Sequence, residues 1–80
     1  MLKIYILKSS ISNKYYIGHT QNLDKRLERH NTGFSQYTKK FMPWKLIYTE
    51  DFETRGEAIK REKQIKRYKG GEAFKRLIKK

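Results

Sequence analysis

Two tyrosines, one arginine and one histidine stand in the first part of this sequence where they could form one polar site. Tyr5 and Tyr16 lie in two short apolar stretches, and Arg26 and His30 follow in a helix-like segment. Residues four apart share one side of a helix, so Arg26 and His30 can act together. A guanidinium is well shaped for a phosphate and for the charge that develops during its displacement. In a very basic chain, this combination indicates phosphodiester chemistry.

Glu62 is the acidic residue whose position says most about chemistry. Ala58, Ile59 and Ile65 share its side of a predicted helix, so its carboxylate lies on or beside the apolar stripe that faces the sheet. One interpretation is a structural ion pair with Arg26 or a hydrogen bond from a tyrosine. The other is a metal ligand, since a carboxylate oxygen suits Mg²⁺, which keeps several waters and needs few protein ligands. The pattern alone leaves both open.

Each of the other candidate residues also has a purely structural interpretation. Tyr5 and Tyr16 suit half-buried strand positions, and a tyrosine is a poor base at pH 7 unless a nearby cation or metal lowers its pKa. Arg26 can be a solvated helix residue, and a single histidine such as His30 is more often structural than catalytic. Tyr15 and Tyr16 must point to opposite faces of the sheet, so only one of them can reach a given site.

Size and charge restrict the possible functions. The chain has 80 residues, and its 20 Lys or Arg against 8 Asp or Glu give a net charge of +12 and a pI near 10.1. We expect one domain over residues 1–80 with a small core and room for one site. The charge is typical of a nucleic-acid binder, although association with ribosomes or a membrane surface also fits. Without cysteines or a long apolar run, we expect a soluble cytoplasmic protein with no membrane span.

The basic residues concentrate near the end of the chain, where residues 60–80 hold ten Lys or Arg against two Glu. This segment can be the solvated face of two surface helices, but an excess of one charge favours a phosphate partner. The residues expected to contact nucleic acid are Lys60, Lys63, Lys66, Arg67 and Lys69. Stacking surfaces for bases could come from Tyr37, Phe41, Trp44 and Tyr68, although Phe41 and Trp44 suit the core equally well.

Local patterns predict the elements that must position these residues. In order they are strands over 2–8 and 15–18, a helix to about residue 31, a long loop over 32–44, a strand over 45–49, a helix to about residue 68 and a short helix over 72–79. Asn22 suits the N-cap of the first helix, and Thr54 and Glu57 have capping-box spacing. The order β-β-α-β-α-α predicts an α+β fold with a small three-stranded antiparallel sheet flanked by helices.

The end of the chain completes this prediction. The glycine pair Gly70-Gly71 should stop the long helix. The final short helix should turn its apolar side inward, with Ala73, Phe74, Leu77 and Ile78 in the core.

Taken in order, these motifs resemble the GIY-YIG nuclease superfamily over nearly the whole chain. Lys3-Ile4-Tyr5 stands at the first motif, Tyr16-Ile17-Gly18 is the second, and Arg26 follows eight residues after the glycine. The run Ala58 to Lys66 makes Glu62 the match to the metal-binding glutamate. In length the chain is similar to the small stand-alone members related to the excision-repair endonuclease catalytic domain.

This resemblance implies hydrolysis of DNA phosphodiester bonds by an activated water, in DNA repair or processing, with one divalent cation, Mg²⁺ or Mn²⁺. Tyr5 would be the general base or a water-orienting group, and Tyr16 a second hydroxyl in the same site. Arg26 would stabilise the charged phosphate in the transition state. Glu62 would hold the cation, and His30 would help to position these groups.

Two other functional classes remain open at this point. One is a non-catalytic nucleic-acid-binding module that keeps the fold, although such a module has little use for a carboxylate where phosphate would sit. The other is a protein adaptor, which leaves the charge excess unexplained. Since no separate DNA-binding domain fits in this length, we expect weak sequence specificity, with nucleic-acid shape or a protein partner choosing the target. The sequence does not indicate an oligomeric state.

Overall fold

The computed structural model describes residues 2–32, 36–68 and 71–79 of the chain. Within these residues, three strands form one antiparallel sheet in the order β2-β1-β3: β1 (Leu2–Ser9), β2 (Tyr15–Thr20) and β3 (Trp44–Phe52). Four helices accompany the sheet in the same residues: α1 (Leu23–Asn31), α2 (Gln36–Phe41), α3 (Arg55–Tyr68) and α4 (Glu72–Ile78). The predicted α+β fold, a three-stranded antiparallel sheet flanked by helices, is confirmed.

Strand β1 is the central strand of the sheet and is covered on both faces. Ile4 and Ile6 face a core that also contains residues of α3 and α4. Tyr5 and Leu7 face a second core, to which α1 and α2 contribute. Because a strand buried on both faces needs apolar side chains on both, β1 is an almost continuous apolar run with little alternation.

The hairpin of β1 and β2 sets the register of the site. Tyr5 lies opposite Gly18 across the two strands. As predicted, the neighbouring residues Tyr15 and Tyr16 point to opposite faces. The ring of Tyr15 packs edge-on against Phe74 at 5.0 Å between centroids, whereas the ring of Tyr16 stacks 6.2 Å from that of Tyr5. Tyr16 is therefore the tyrosine of this pair that shares a face with Tyr5.

Side-chain caps begin the two helices that carry site residues, as their sequences predicted. The side chain of Asn22 accepts a hydrogen bond from the backbone N–H of Lys25 at 3.1 Å. The hydroxyl of Thr54 accepts one from the backbone N–H of Glu57 at 3.2 Å. Helix α3 then runs for 14 residues. No helix in the described ranges is both long and apolar enough to span a membrane.

The segment predicted as a long loop over 32–44 contains the helix α2. A helix of six residues has little stability of its own, so packing decides whether it forms. The indole N–H of Trp44 donates to the carbonyl oxygen of Thr38 at 2.9 Å, which ties α2 to the start of β3. This contact joins two elements and leaves no periodic signal in the local sequence.

Two further predictions need correction. Strand β3 begins at Trp44 and extends to Phe52, beyond the predicted range 45–49, because it pairs with β1 from end to end, with one register shift between Leu46 and Tyr48. In α4, Phe74 is buried, but the predicted core residue Ala73 is exposed. Leu77 and Ile78 are half-buried against the same core as Phe74. The predicted stop at Gly70 lies outside the described residues.

Candidate active site

A cavity of about 420 Å³ opens beside the edge strand β2. Residues of β1, β2, α1 and α3 line it, so four elements meet at this place. Its wall includes four of the five residues predicted for catalysis, namely Tyr5, Tyr16, Arg26 and Glu62. The fifth, His30, lies behind the two tyrosine rings. The cavity is thus the point where a site predicted from distant parts of the sequence comes together.

Tyr5 presents its hydroxyl to the cavity from the central strand. Its ring is almost fully buried, and its hydroxyl oxygen lies 3.1 Å from Nε2 of His30. Burial raises the pKa of Tyr5 well above its usual value; the neighbouring Tyr16 and Glu62 raise it further, and the positive charge of Arg26 acts in the opposite direction. At neutral pH, Tyr5 is therefore a phenol that can donate and accept hydrogen bonds.

Gly18 leaves the space that the Tyr5 hydroxyl occupies. A Cβ atom at this position would lie 2.7 Å from the hydroxyl oxygen of Tyr5 and 2.9 Å from its Cζ. Both distances are too short for non-bonded atoms, and the buried tyrosine ring has little room to move. The close approach of the Tyr5 hydroxyl therefore explains why the second motif has a glycine at this position.

His30 is a buried neighbour of both tyrosines. Its ring centroid lies 4.3 Å from that of Tyr16 and 5.9 Å from that of Tyr5. Burial, followed by the positive charges of Arg26 and Arg29, lowers the pKa of His30 to about 4. The imidazole is therefore neutral at pH 7. Its place behind the rings suits a residue that positions Tyr5 better than one that contacts a substrate.

Arg26 reaches the cavity from the first turn of α1. It is half-buried, and its backbone N–H donates to the carbonyl of the cap residue Asn22 at 3.1 Å. Its guanidinium charge acts on the pKa values of both Tyr5 and His30. Arg26 thus places a partly desolvated positive charge beside the tyrosine hydroxyls.

Glu62 is held by two hydrogen bonds on the opposite wall. Its Oε1 lies 2.5 Å from Nδ1 of His19, and its Oε2 accepts from Nζ of Lys66 at 2.7 Å. The structural interpretation from the sequence expected Arg26 or a tyrosine as the partner, so it named the wrong residues. Burial alone would raise the pKa of Glu62, but the hydrogen bonds from His19 and Lys66 outweigh it and lower the pKa. The carboxylate is ionised.

His19 is the site residue that the sequence reasoning missed. It follows Gly18 directly, and alternation along β2 turns it toward α3 and away from Tyr16. Its Nε2 lies 3.4 Å from Nη1 of Arg55, which can only donate. This contact favours a ring proton on Nδ1, which then donates to Glu62. The sequence did contain one signal for His19. It is a polar residue near the end of an apolar strand, and alternation places it on the face opposite to Tyr16.

The predicted nucleic-acid contacts divide into two groups. Lys60, Lys63 and Arg67 are exposed, and their spacing of three and four residues places them along one side of α3. Lys66 lies on the cavity wall, where it pairs with Glu62. Lys69 lies outside the described residues. The exposed side of α3 therefore offers a stripe of positive charge next to the cavity.

Among the described residues that line the cavity, Glu62 is the one carboxylate that a divalent cation could use. In the described part of the chain, no group of three or more His, Cys, Asp or Glu side chains is arranged around a common point. Mg²⁺ does not need such a group, because it keeps waters and binds through one or two carboxylates together with substrate phosphates. Glu62 supplies one such carboxylate. Its partner Lys66 has a side chain that is 53% exposed, so this ammonium group can move away from Oε2.

Comparison with known proteins identifies a family whose members resemble this chain in sequence and fold. A family model described as the GIY-YIG catalytic domain matches residues 1–75. Proteins named UPF0213 from Staphylococcus aureus strains Mu3 and N315 are each 42% identical over 66 residues, which is 81% of this chain and 79% of theirs. The solution NMR structure of a UPF0213 protein from Bacillus halodurans is 30% identical, with a TM-score of 0.50; the match covers 84% of this chain and 72% of that one.

Proposed function

Because this chain belongs to the GIY-YIG catalytic domain family, we propose that it is an endonuclease that hydrolyses phosphodiester bonds of DNA with one divalent cation. Its role would lie in DNA repair or processing. The matched model covers 75 of the 80 residues, so the proposal draws on almost the whole chain. Nucleic-acid shape or a protein partner would choose its target.

The observation that carries this proposal is the meeting of Glu62 with Tyr5, Tyr16 and Arg26 in one cavity. A surface that only binds phosphates needs positively charged side chains. A half-buried, ionised carboxylate beside such side chains weakens phosphate binding unless it holds a metal ion. The presence of both charges in one cavity therefore supports catalysis.

Tyr5 would orient the attacking water. Its raised pKa keeps the hydroxyl protonated at neutral pH, so the basic phenolate is not available; of the two roles that the resemblance implies, the water-orienting role is favoured. When the Tyr5 hydroxyl donates a hydrogen bond to Nε2 of His30, the lone pairs of the phenol oxygen remain free to accept a hydrogen bond from water. Tyr16 adds a second hydroxyl on the same face of the sheet. Gly18 leaves room for the Tyr5 hydroxyl at this place.

Arg26 would bind the scissile phosphate and stabilise the charge that develops on it. A guanidinium already fixed at the cavity wall does not need to reorganise when that charge appears, and this is the source of the electrostatic advantage. Arg55 lines the other side of the cavity and could hold a neighbouring phosphate. The two arginines flank the space in which the substrate would lie.

Glu62 would bind the cation through Oε2 after Lys66 has moved away, while His19 keeps hold of Oε1. A bound Mg²⁺ or Mn²⁺ would polarise the phosphate and stabilise the leaving oxygen. The released Lys66 would remain at the cavity wall as a further phosphate contact.

One observation favours the second candidate, a binding module without activity. Both carboxylate oxygens of Glu62 already have partners, His19 and Lys66, which is the arrangement of a structural ion pair. Incubating the protein with duplex, branched and single-stranded DNA and with RNA decides between the two. We expect cleavage of at least one DNA substrate in Mg²⁺ or Mn²⁺ and none in EDTA. Binding without cleavage of any substrate would establish the module instead.

A further inference from the structure

An exposed aromatic ring lies outside the proposed cleavage site. Among the large apolar side chains of the described residues, Tyr37 is one of two that are exposed, with 46% of its surface accessible. Its ring lies nearly parallel to that of Trp44, at 6.3 Å between centroids and an angle of 26°, and touches the edge of Phe41 at 5.2 Å. An accessible ring backed by other rings is the kind of surface on which a nucleobase stacks.

Trp44 gives this ring a fixed support. It is buried, and its indole N–H donates to the carbonyl of Thr38. The side chain of Asn31 bonds both backbone groups of Trp44, accepting from its N–H at 2.6 Å and donating to its carbonyl at 3.2 Å. Because this support is held before any ligand arrives, little ordering remains to be done on binding.

Two lysines lie beside the Phe41 ring of this cluster. The ammonium groups of Lys14 and Lys40 lie 5.9 Å and 5.8 Å from the centroid of Phe41, and both side chains are exposed. The sequence contains no Asp or Glu between residues 29 and 49. An aromatic surface with flanking cations matches a nucleic-acid strand, which offers bases and phosphates in alternation.

A row of ring contacts leads from this cluster to the cavity. The ring of Tyr16, which lines the cavity, lies 6.3 Å from that of Trp44, and Trp44 in turn supports Tyr37. A strand with one phosphate in the cavity could therefore reach Tyr37 within a few nucleotides. The cluster lies on the same face of the sheet as the Tyr16 side of the cavity, since Tyr16 and Trp44 belong to one core.

We propose that Tyr37, supported by Trp44 and flanked by Lys14 and Lys40, is a stacking platform for an unpaired base of the bound strand. Bases inside a duplex are already paired and stacked, so this platform selects a nucleic acid that is single-stranded beside the bond in the cavity, such as an overhang, flap or branch. That the same strand is cleaved rests on the proposed function. The stacking itself does not.

Binding measured in EDTA tests the platform without cleavage. Fluorescence anisotropy at one fixed salt concentration would compare a labelled single strand, a blunt duplex and a duplex with a flap, each as DNA and as RNA. We expect Tyr37→Ala and Tyr37→Leu to weaken binding of single strands and flaps about 5- to 150-fold, the range that corresponds to about 1–3 kcal/mol per stacked base. Tyr37→Phe keeps the ring and should stay within about twofold of wild type. Blunt duplex should bind all four proteins equally.

Abasic scanning makes the test specific for stacking. Single strands that lack one base at successive positions should show a loss of affinity at one position with the wild type and none with Tyr37→Leu. Thermal unfolding of the variants checks that they are folded. The proposal is overturned if Tyr37→Leu binds every substrate like the wild type, since Tyr37 then only covers Trp44 or contacts a protein. A protein that cleaves nothing but keeps this position-specific loss would refute the nuclease and retain the platform.

Discussion

Nδ1 of His19 lies 2.5 Å from Oε1 of Glu62, so a strand residue fixes the orientation of the helix carboxylate proposed to bind a cation. The neighbouring Arg55 favours the tautomer that donates to Glu62. His19 would therefore act on the proposed cation through Glu62, as a positioning residue. Loss of such an outer partner typically weakens metal binding by about 10- to 100-fold.

The first prediction concerns this contact. We expect His19→Ala to raise the apparent dissociation constant for Mn²⁺ about 10- to 100-fold, measured from the Mn²⁺ dependence of cleavage, since the cation would bind together with substrate phosphates. His19→Asn should retain most of the affinity, because its amide N–H can donate from nearly the same place. Lys60→Ala, on the exposed side of α3, is the control. Equal affinities of wild type and His19→Ala would remove His19 from the site.

The second prediction concerns the space above Tyr5. Gly18→Ala should lower the free energy of unfolding by about 1–3 kcal/mol, because its Cβ would overlap the buried hydroxyl of Tyr5. Adding Tyr5→Phe removes the closest atom and should recover part of this loss in denaturant unfolding. Gly56→Ala is the matched control, since no atom lies within 4 Å of its added Cβ. At this exposed helix position alanine should be neutral or stabilising by up to about 1 kcal/mol.

The outcome of that double-variant cycle is decisive for the steric explanation. If Gly18→Ala and Tyr5→Phe have additive effects, the two residues do not interact, and the need for glycine at position 18 has another cause. A positive coupling confirms the close approach.

The third prediction concerns pH and His30. Its pKa is about 4 in the folded protein against 6.5 when unfolded, so between these values the unfolded chain binds a proton that the folded one does not. The stability from a neutral His30 is thus complete above pH 6.5 and is lost as the pH falls toward 4. The loss is on the order of 3 kcal/mol. Denaturant unfolding of wild type and His30→Gln at pH 4 to 8 measures it, and parallel curves for the two proteins would contradict the assignment.

The fourth prediction concerns the exposed stripe of α3. Replacing Lys60, Lys63 and Arg67 together with alanine should flatten the log–log dependence of DNA affinity on salt, by up to about 0.9 for each phosphate that the protein no longer neutralises. The control variant removes the same charge from α4 and the residue that follows it, at Lys75, Arg76 and Lys79. A larger change in the control than in the α3 variant would place the DNA on the other helix.

How far the sequence predicts this site depends on which contacts are local. Tyr5, Tyr16 and Arg26 could be placed from strand alternation, helix spacing and a short hairpin. The meeting of Glu62 with them followed from the family resemblance. The partner of Glu62 could not be predicted, because His19 is 43 residues away and their contact depends on how α3 packs across β2.

The fold shows the same limit. Caps at Asn22 and Thr54 were predicted because their hydrogen bonds close within three residues. The helix α2 and the extra length of β3 were missed because Trp44 and the neighbouring strand β1 stabilise them. In both cases packing between elements outweighs local propensity.

The central claim is that the cavity holds a cation on Glu62 and cleaves phosphodiester bonds, and Glu62→Gln tests it most directly. This change keeps the shape of the side chain and removes its charge. Cleavage of the best substrate in Mg²⁺ or Mn²⁺ should fall at least about 100-fold, since polarisation by a metal ion contributes several kcal/mol and each 1.4 kcal/mol is about tenfold in rate. DNA affinity in EDTA should stay equal or increase, because one negative charge is gone. Cleavage by Glu62→Gln at the wild-type rate would contradict the claim and leave Glu62 as the structural partner of His19 and Lys66.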